Sequence, residues 1–264
     1  MKTTGTIGYT RYIIWAYAAF WAVVLVFGGA AAMLFESPPA VMNAVSVLGS
    51  WTPTIVLLVM LKKLRPGSSV ADFYRNAFKA RPSVPLFAAI AVMAFGALAA
   101  AALVASLVEG TRPLAPFVMP SSIVGALALT AMQGPSGEES GWRGYLRPEL
   151  EGRFGFLKGN LILGLVWAFW HAPLWFLASG FSGARLVLFI AANVVVLSSL
   201  TLIMAALMRR CDNILVAFWV HFFFNLSLRV IEGGVVFFAA LSAVYVALAI
   251  AVLAVMRKDW APGA

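Results

Sequence analysis

The chain has 264 residues, of which 62% are hydrophobic and 11% are charged, and its formal net charge is +9. Ordinary soluble domains are about 45–50% apolar and about 25% charged, so this composition excludes a soluble enzyme or a soluble binding module. It predicts an all-α, polytopic membrane protein, with residues 1–264 forming a single transmembrane domain. The one cysteine, Cys211, excludes an intramolecular disulfide and a cysteine-based metal site.

Eight apolar stretches separated by short polar segments predict about eight transmembrane helices. A hydrocarbon core about 30 Å thick needs about 20 apolar residues in each helix. The first stretch, at about 24 residues, exceeds the roughly 7–15 of a secretory signal, which favours a retained helix. In chain order, the predicted spans are Tyr12–Phe35, Ala40–Leu61, Val84–Val108, Ser121–Gly141, Leu157–Ala178, Arg185–Met208, Asn213–Arg229 and Val235–Met256.

The basic residues predict the orientation, because lysine and arginine are retained preferentially on the cytoplasmic side of a membrane. With both termini in the cytoplasm, only Arg112, Arg185 and Arg229 fall outside. The sixteen that fall inside are Lys2, Arg11, Lys62, Lys63, Arg65, Arg75, Lys79, Arg81, Arg143, Arg147, Arg153, Lys158, Arg209, Arg210, Arg257 and Lys258. We therefore expect a multi-pass protein, in the plasma membrane of a bacterium, with both termini cytoplasmic.

The partners expected from this charge distribution are lipids rather than nucleic acids. The basic residues are divided among several loops and do not gather on one soluble face. The segment "SSVADFYRNAFKARPSV", which follows the second span, is predicted to form a short amphipathic helix along the inner leaflet.

Few ionisable residues lie within the predicted spans, and these are candidate functional residues because a charge near the membrane centre costs several kcal/mol. Of the ten acidic residues, only Glu138 and Glu139 lie inside or at the end of a span. Both histidines, His171 and His221, lie well inside helices. Asn225 follows His221 by four residues and so lies one turn further along the same helix face. The core that carries these residues covers about 121–231.

The spacing around the two glutamates gives them different roles. Glu139 and Arg143 are four residues apart in the favourable acid-before-base order and can pair along one helix face. Glu138 points about 100° away and is expected to face the histidines. The preceding Gly134–Gly137 segment contains a proline and is expected to interrupt the helix, which is tolerated where a helix lines a water-filled cavity.

The depths of Glu138 and His171 conflict with the predicted span boundaries. At about 1.5 Å per residue, His171 lies roughly 20 Å from Lys158, whereas Glu138 lies only about 7 Å from Arg143. If Glu138 and His171 meet, the fourth helix must run deeper, with Arg143 buried. The fifth helix is then expected to begin after Asn160.

Three motifs on successive helices, "EESGWRGYL", "WAFWHAPLW" and "HFFFN", resemble those of the CPBP family of intramembrane proteases. This family includes relatives of the eukaryotic Ras-converting CAAX endopeptidase and of bacteriocin-immunity proteins. Its pattern is Glu-Glu-x-x-x-Arg, then Phe-x-x-x-His, then His-x-x-x-Asn, and Trp167 here replaces the phenylalanine. The resemblance selects six site residues, namely Glu138, Glu139, Arg143, His171, His221 and Asn225.

The resemblance implies an endopeptidase that cleaves a membrane-proximal peptide or protein. Peptide hydrolysis needs an activated water and stabilisation of the oxyanion that develops. We expect Glu138 to act as general base and His171 to help hold the water. His221 and Asn225, on one helix face, are expected to donate to the oxyanion.

A metal cofactor is the main open alternative at this site. Glu138, His171 and His221 form the ligand set of a catalytic zinc ion whose fourth position is open to water. If Glu138 binds a metal, however, it is a poor candidate for the base. We favour a metal-free, glutamate-activated water, with zinc as the alternative.

Three other functions compete with this interpretation. "GPSG" matches the Gly-x-Ser-Gly of rhomboid-type serine proteases, which would make Ser136 a nucleophile but leaves the two glutamates and Arg143 without a role. An ion-coupled transporter would also use intramembrane glutamate and histidine, although no repeated halves are evident. A non-proteolytic immunity or scaffold protein could keep the same fold, but the complete motif set favours activity.

Overall fold

The computed structural model describes residues 4–30, 39–112 and 117–256. These residues form an all-α bundle without a β-strand, and a single isolated antiparallel bridge joins Phe117 to Ile231. The predicted all-α, polytopic membrane class is thereby confirmed. Lys2, Arg257, Lys258 and the end of the first predicted span at Phe35 lie outside the described residues.

The α-helices of the described residues are numbered here in chain order. They are α1 Thr4–Ala22, α2 Pro39–Ser50, α3 Thr52–Leu64, α4 Val70–Ala77, α5 Val84–Glu109, α6 Ile123–Met132, α7 Pro135–Glu139, α8 Arg147–Phe154, α9 Phe156–Trp170, α10 Ala172–Ala178, α11 Gly183–Arg210, α12 Ile214–Leu228 and α13 Val235–Met256. Two π-helical segments, Val23–Gly28 and Ser140–Leu146, continue α1 and join α7 to α8.

Six helical segments of the described chain are long and apolar enough to cross a membrane, so the count of eight spans is not confirmed. They are Gly8–Gly28, Asn43–Leu64, Val84–Glu109, Phe156–Ala178, Gly183–Arg210 and Val235–Met256. The seventh predicted span is the 15-residue helix α12, whose length of about 22 Å is shorter than a hydrocarbon core. The fourth is divided, because α6 ends at Met132 and α7 begins at Pro135.

The divided fourth span also resolves the conflict in depth between Glu138 and His171. Helix runs without interruption from Pro135 to Phe154, and Gly155, at φ +77°, then reverses the chain into α9. Glu138 lies seventeen residues before Gly155 and His171 sixteen after it, so both stand about 25 Å from the turn. The deeper fourth helix is confirmed, whereas the expected start of the fifth helix after Asn160 is wrong, because the glycine turn lets α9 begin at once.

The first helix packs against the end of α9 that carries His171. The Tyr17 hydroxyl donates to the backbone carbonyl of Val166 at 2.5 Å, and the Trp21 indole donates to that of Trp170 at 3.1 Å. In return, the Trp170 indole donates to the carbonyl of Ala16 at 3.2 Å. Because the first two bonds end on backbone carbonyls of α9, they fix its position independently of the rotamers of its own side chains.

The amphipathic segment forms α4, as predicted. Ser69 and Asp72 make a reciprocal capping box at its N-terminus, and Arg75 pairs with Asp72 at 2.8 Å. The hydrogen bonds from Ser69 lower the pKa of the exposed Asp72 carboxyl below its usual value. The position of α4 at the inner leaflet remains a prediction.

Candidate active site

The site begins at the break between α6 and α7, which Gly134 makes possible. Gly134 has φ +127°, a conformation that residues with a side chain adopt at a cost. A Cβ atom at this position would also lie 3.0 Å from Asn225 Nδ2 and 3.0 Å from His221 Nε2. The break therefore brings the backbone of the fourth segment directly against the His221 face of α12.

Glu139, Arg143 and His221 form one buried network. The Arg143 guanidinium donates to Glu139 Oε1 at 3.2 Å, as the four-residue spacing predicts. The same oxygen lies 2.7 Å from His221 Nδ1, and Arg143 also donates to the Thr201 hydroxyl at 3.0 Å. Glu139 is 2% exposed and Arg143 is 1% exposed, so each charge is desolvated and depends on its partners.

Glu138 has a different set of contacts. The Trp167 indole N–H donates to Glu138 Oε2 at 2.6 Å, and the Arg143 guanidinium lies 3.9 Å from the centre of the Trp167 ring. Glu138 is 3% exposed. Its carboxylate is therefore held in place by a charge-assisted hydrogen bond, and it forms no salt bridge within the described residues.

Glu138 shares the catalytic cavity with both histidines, and the structure adds a contact that was not predicted, in which His221 pairs with Glu139. Helix α12 packs against α7 on the face that carries Glu139, so Glu139 bonds to both Arg143 and His221. Sequence reasoning also missed Trp167 and Thr201 as polar partners. The signal for Trp167 was its position four residues before His171, since an indole offers a donor that phenylalanine lacks.

The protonation of both histidines follows from their partners. His171 Nδ1 lies 2.8 Å from the backbone carbonyl of Trp167, which can only accept a hydrogen bond. His221 Nδ1 faces the Glu139 carboxylate, which as an anion also only accepts. Both Nδ1 atoms therefore carry a proton, and each neutral ring has an unprotonated Nε2. His221 can donate to an oxyanion through Nε2 only when the ring is an imidazolium.

A cavity of about 260 Å³, named here the catalytic cavity, brings four of the predicted residues together. Its lining includes Glu138, His171, His221 and Asn225. Glu139 and Arg143 do not line the cavity, but Glu139 contacts His221 and Arg143 contacts Glu139. Much of the remaining wall is aromatic or aliphatic and includes Phe20, Trp170, Trp175, Leu197, Phe224 and Leu228. The cavity thus combines a carboxylate and two imidazoles with an apolar wall, which suits an apolar peptide segment.

Ser136 is not among the residues that line this cavity. Within the described residues, it forms no hydrogen bond with either histidine, whose Nδ1 atoms face Trp167 and Glu139. A serine nucleophile needs a base within hydrogen-bond reach. The geometry therefore gives no support to Ser136 as a nucleophile.

The predicted zinc ligands share the catalytic cavity but do not form a metal site. In the described part of the chain, no group of three His, Cys, Asp or Glu side chains is placed to hold a metal ion. The two Nδ1 hydrogen bonds resemble the outer-shell contacts of metal-binding histidines, but Glu138 is bound to Trp167 and does not join the histidines. We therefore assign no step of the reaction to a metal.

A second polar network, separate from that of Glu139, Arg143 and His221, lies at the break between α6 and α7. Arg229 donates to the Thr130 hydroxyl at 2.6 Å and to Gln133 Oε1 at 2.5 Å. The Gln133 amide donates in turn to Asn43 Oδ1 at 3.1 Å, and Gln133 also lines the catalytic cavity. Arg229, predicted at the outer end of the seventh span, thus ties the end of α12 to the end of α6.

Comparisons with known proteins match the segment of the chain that contains this site. Residues 120–227 match the family described as type II CAAX prenyl endopeptidase Rce1-like. The chain is also 27% identical over 122 residues to CAAX prenyl protease 2 of Methanococcus maripaludis, a match that covers 39% of this chain and 43% of that protein. The chain thus aligns with less than half the length of this curated relative. The family resemblance is confirmed for the segment that contains all six predicted site residues.

Proposed function

We propose that this protein is an intramembrane endopeptidase in which Glu138 activates a water molecule. One observation carries the proposal: Glu138 lines a largely apolar cavity with both histidines, while the adjacent Glu139 is occupied by Arg143 and His221. The site thus separates one carboxylate that can accept a proton from one that orients other groups, a division of roles typical of acid–base catalysis.

The reaction then follows from the positions of the side chains. Glu138 takes a proton from water as the water oxygen attacks the peptide carbonyl carbon. We place the resulting oxyanion near Asn225, which is one of several neutral donors in the cavity wall and whose amide also donates to the backbone carbonyl of Gln133 at 3.4 Å. When the C–N bond breaks, protonated Glu138 returns its proton to the leaving amine. The products are a carboxylic acid and an amine, and the enzyme regains its initial state.

His221 has a conditional role in this scheme. Its neutral ring offers an unprotonated Nε2 to the cavity, which accepts a hydrogen bond from water or from the leaving group's N–H. A ring protonated at Nε2 would instead donate to the oxyanion, and the Glu139 carboxylate at 2.7 Å would stabilise that cation. Glu139 and Arg143 are therefore positioning residues, since they act on the reaction through His221.

The protein is an integral, multi-pass membrane protein, and we propose that both termini are cytoplasmic in a bacterial plasma membrane. Lys62 and Lys63 end α3, and Arg209 and Arg210 end α11. These basic helix ends support the proposal that this side faces the cytoplasm, since lysine and arginine are retained preferentially there. The substrate we propose is a peptide segment in or beside the bilayer. A prenylated CAAX peptide is one of the peptides to test, because the relative from Methanococcus maripaludis is named CAAX prenyl protease 2.

The test is peptidase activity of purified protein in liposomes, with fluorogenic membrane peptides as substrates. Wild-type protein should cleave, Glu138→Gln should not, and Ser136→Ala should cleave like wild type because Ser136 is outside the cavity wall. Cleavage by Glu138→Gln at the wild-type rate would refute glutamate activation. Loss of cleavage in Ser136→Ala would restore the serine mechanism. If the purified wild-type protein cleaves none of the peptides that are cut in cells only when this protein is expressed, the result supports the scaffold alternative.

A further inference from the structure

Two cavities approach the buried Glu139 and Arg143 network from opposite ends of the bundle. The catalytic cavity is lined by Glu138 and His221. A second cavity of about 190 Å³, named here the basic cavity, is lined by Arg143 itself together with Arg65, Phe73, Arg147 and Asp212. The Glu139 and Arg143 pair, with its 3.2 Å contact, therefore separates the two spaces.

Positions along the helices show at which end each cavity lies. On α11, Asn193 lines the catalytic cavity sixteen residues before Arg209, a distance of about 24 Å. In the Asn43–Leu64 segment, Ser46 lines it sixteen residues before Lys62, again about 24 Å. Across a hydrocarbon core of about 30 Å, these residues lie beyond the midplane as seen from the basic helix ends.

The remaining helices agree with this placement. His171 and Leu174 line the catalytic cavity fifteen and eighteen residues after the start of α9 at Phe156, and Leu228 is the last residue of α12. The basic cavity shows the opposite distribution, since it is lined by residues next to the basic helix ends, such as Arg65 and Met208. Of these two cavities, the catalytic cavity is the one that extends into the half of the bundle remote from those ends.

We infer that the catalytic cavity is entered from the non-cytoplasmic side, so that the scissile bond of the substrate lies in the outer half of the bilayer. This inference rests on the proposed function and on the proposed orientation. The substrate is then a membrane segment, or the part of an exported peptide that leaves the membrane on the outer side. Glu138 is the charged residue of a wall that is otherwise apolar or uncharged, so the segment around the scissile bond is apolar and uncharged.

The single cysteine of the chain allows a direct test by accessibility labelling. In a Cys211→Ser background, cysteine replaces Asn193 in the catalytic cavity or, as the matched control, Asn76 in the basic cavity. A small, cationic, membrane-impermeant thiosulfonate suits a cavity that contains a carboxylate. Lys63→Cys and Thr111→Cys serve as references for the inside and the outside in intact cells.

We expect Asn193→Cys to be labelled from outside, like Thr111→Cys, and Asn76→Cys only after permeabilisation, like Lys63→Cys. Labelling of Asn193→Cys only after permeabilisation, or not at all, would overturn the inference, as would labelling of Lys63→Cys from outside. Labelling does not depend on cleavage, so the peptidase assay tests the proposed function separately. A wild-type protein with the expected labelling but no peptidase activity would refute the function and leave the entry side established.

Discussion

The contrast between Glu138→Gln and Glu139→Gln tests the division of roles between two adjacent buried carboxylates. Glutamine at 139 keeps the shape of the side chain but removes the anion that faces both Arg143 and His221 at 3.2 and 2.7 Å. Removing one partner of a buried ion pair costs about 3–5 kcal/mol, because the remaining charge stays buried. For a chain of this size, that corresponds to a fall in Tm of about 6 to 20 °C.

Glutamine at 138 should behave differently. Its amide oxygen can still accept the hydrogen bond that Trp167 donates to Glu138 at 2.6 Å, and no salt bridge is lost. Removing a desolvated charge there should change the free energy of unfolding by less than about 1 kcal/mol. Cleavage should nevertheless be abolished, because an amide cannot act as the base.

The measurements are thermal unfolding in detergent and peptidase activity in liposomes, made on the same preparations. We expect Glu138→Gln to lose activity at nearly the wild-type Tm, and Glu139→Gln to lose both activity and stability. The reasoning is refuted if the two variants lower Tm by the same amount, or if Glu139→Gln is as stable as the wild type. Arg143→Ala should resemble Glu139→Gln, since it leaves the Glu139 charge without its cation.

Three further predictions follow from the same contacts. Gly134→Ala should lower stability by about 1–3 kcal/mol through backbone strain and abolish cleavage by displacing His221. Its control is Gly96→Ala inside α5, where an added Cβ would meet no atom within 4 Å. This variant should keep cleavage and should not lower stability, because alanine favours a helix over glycine by about 1 kcal/mol. The cap that Ser69 and Asp72 form on α4 should weaken in acid, because the pKa of the Asp72 carboxyl is lowered in the folded protein. Such a carboxyl stabilises the fold at pH values above its pKa in the unfolded chain. This stabilisation is lost as the pH falls through its pKa in the folded protein. The protection of the α4 amides, relative to the intrinsic exchange rate at each pH, should therefore fall at low pH in wild type but not in Asp72→Ala. Finally, active detergent-purified protein should contain less than stoichiometric zinc and should cleave in the presence of a chelator, whereas about one zinc per chain with chelator-sensitive cleavage would reassign Glu138 as a ligand.

Local spacing was sufficient for the parts of the site that lie on one helix. The pairing of Glu139 with Arg143 follows from four residues of separation, and the structure shows it at 3.2 Å. The same holds for the membrane class, which composition alone indicates, and for the break at Gly134, where glycine and proline interrupt an apolar run. In each case the physical cause acts within one or two helical turns, so the sequence contains all of it.

Contacts between helices required the tertiary structure. The bond from Trp167 to Glu138, the pairing of His221 with Glu139, and the contact of Arg143 with Thr201 each depend on how two helices rotate and slide against one another. In a soluble protein, an apolar stripe would mark the buried face of each helix. Here apolar residues also cover the outward faces, because lipid is as apolar as the bundle interior, so hydrophobic periodicity does not fix that rotation. Polar partners and close approach at glycine fixed it instead, and these act between residues far apart in the chain.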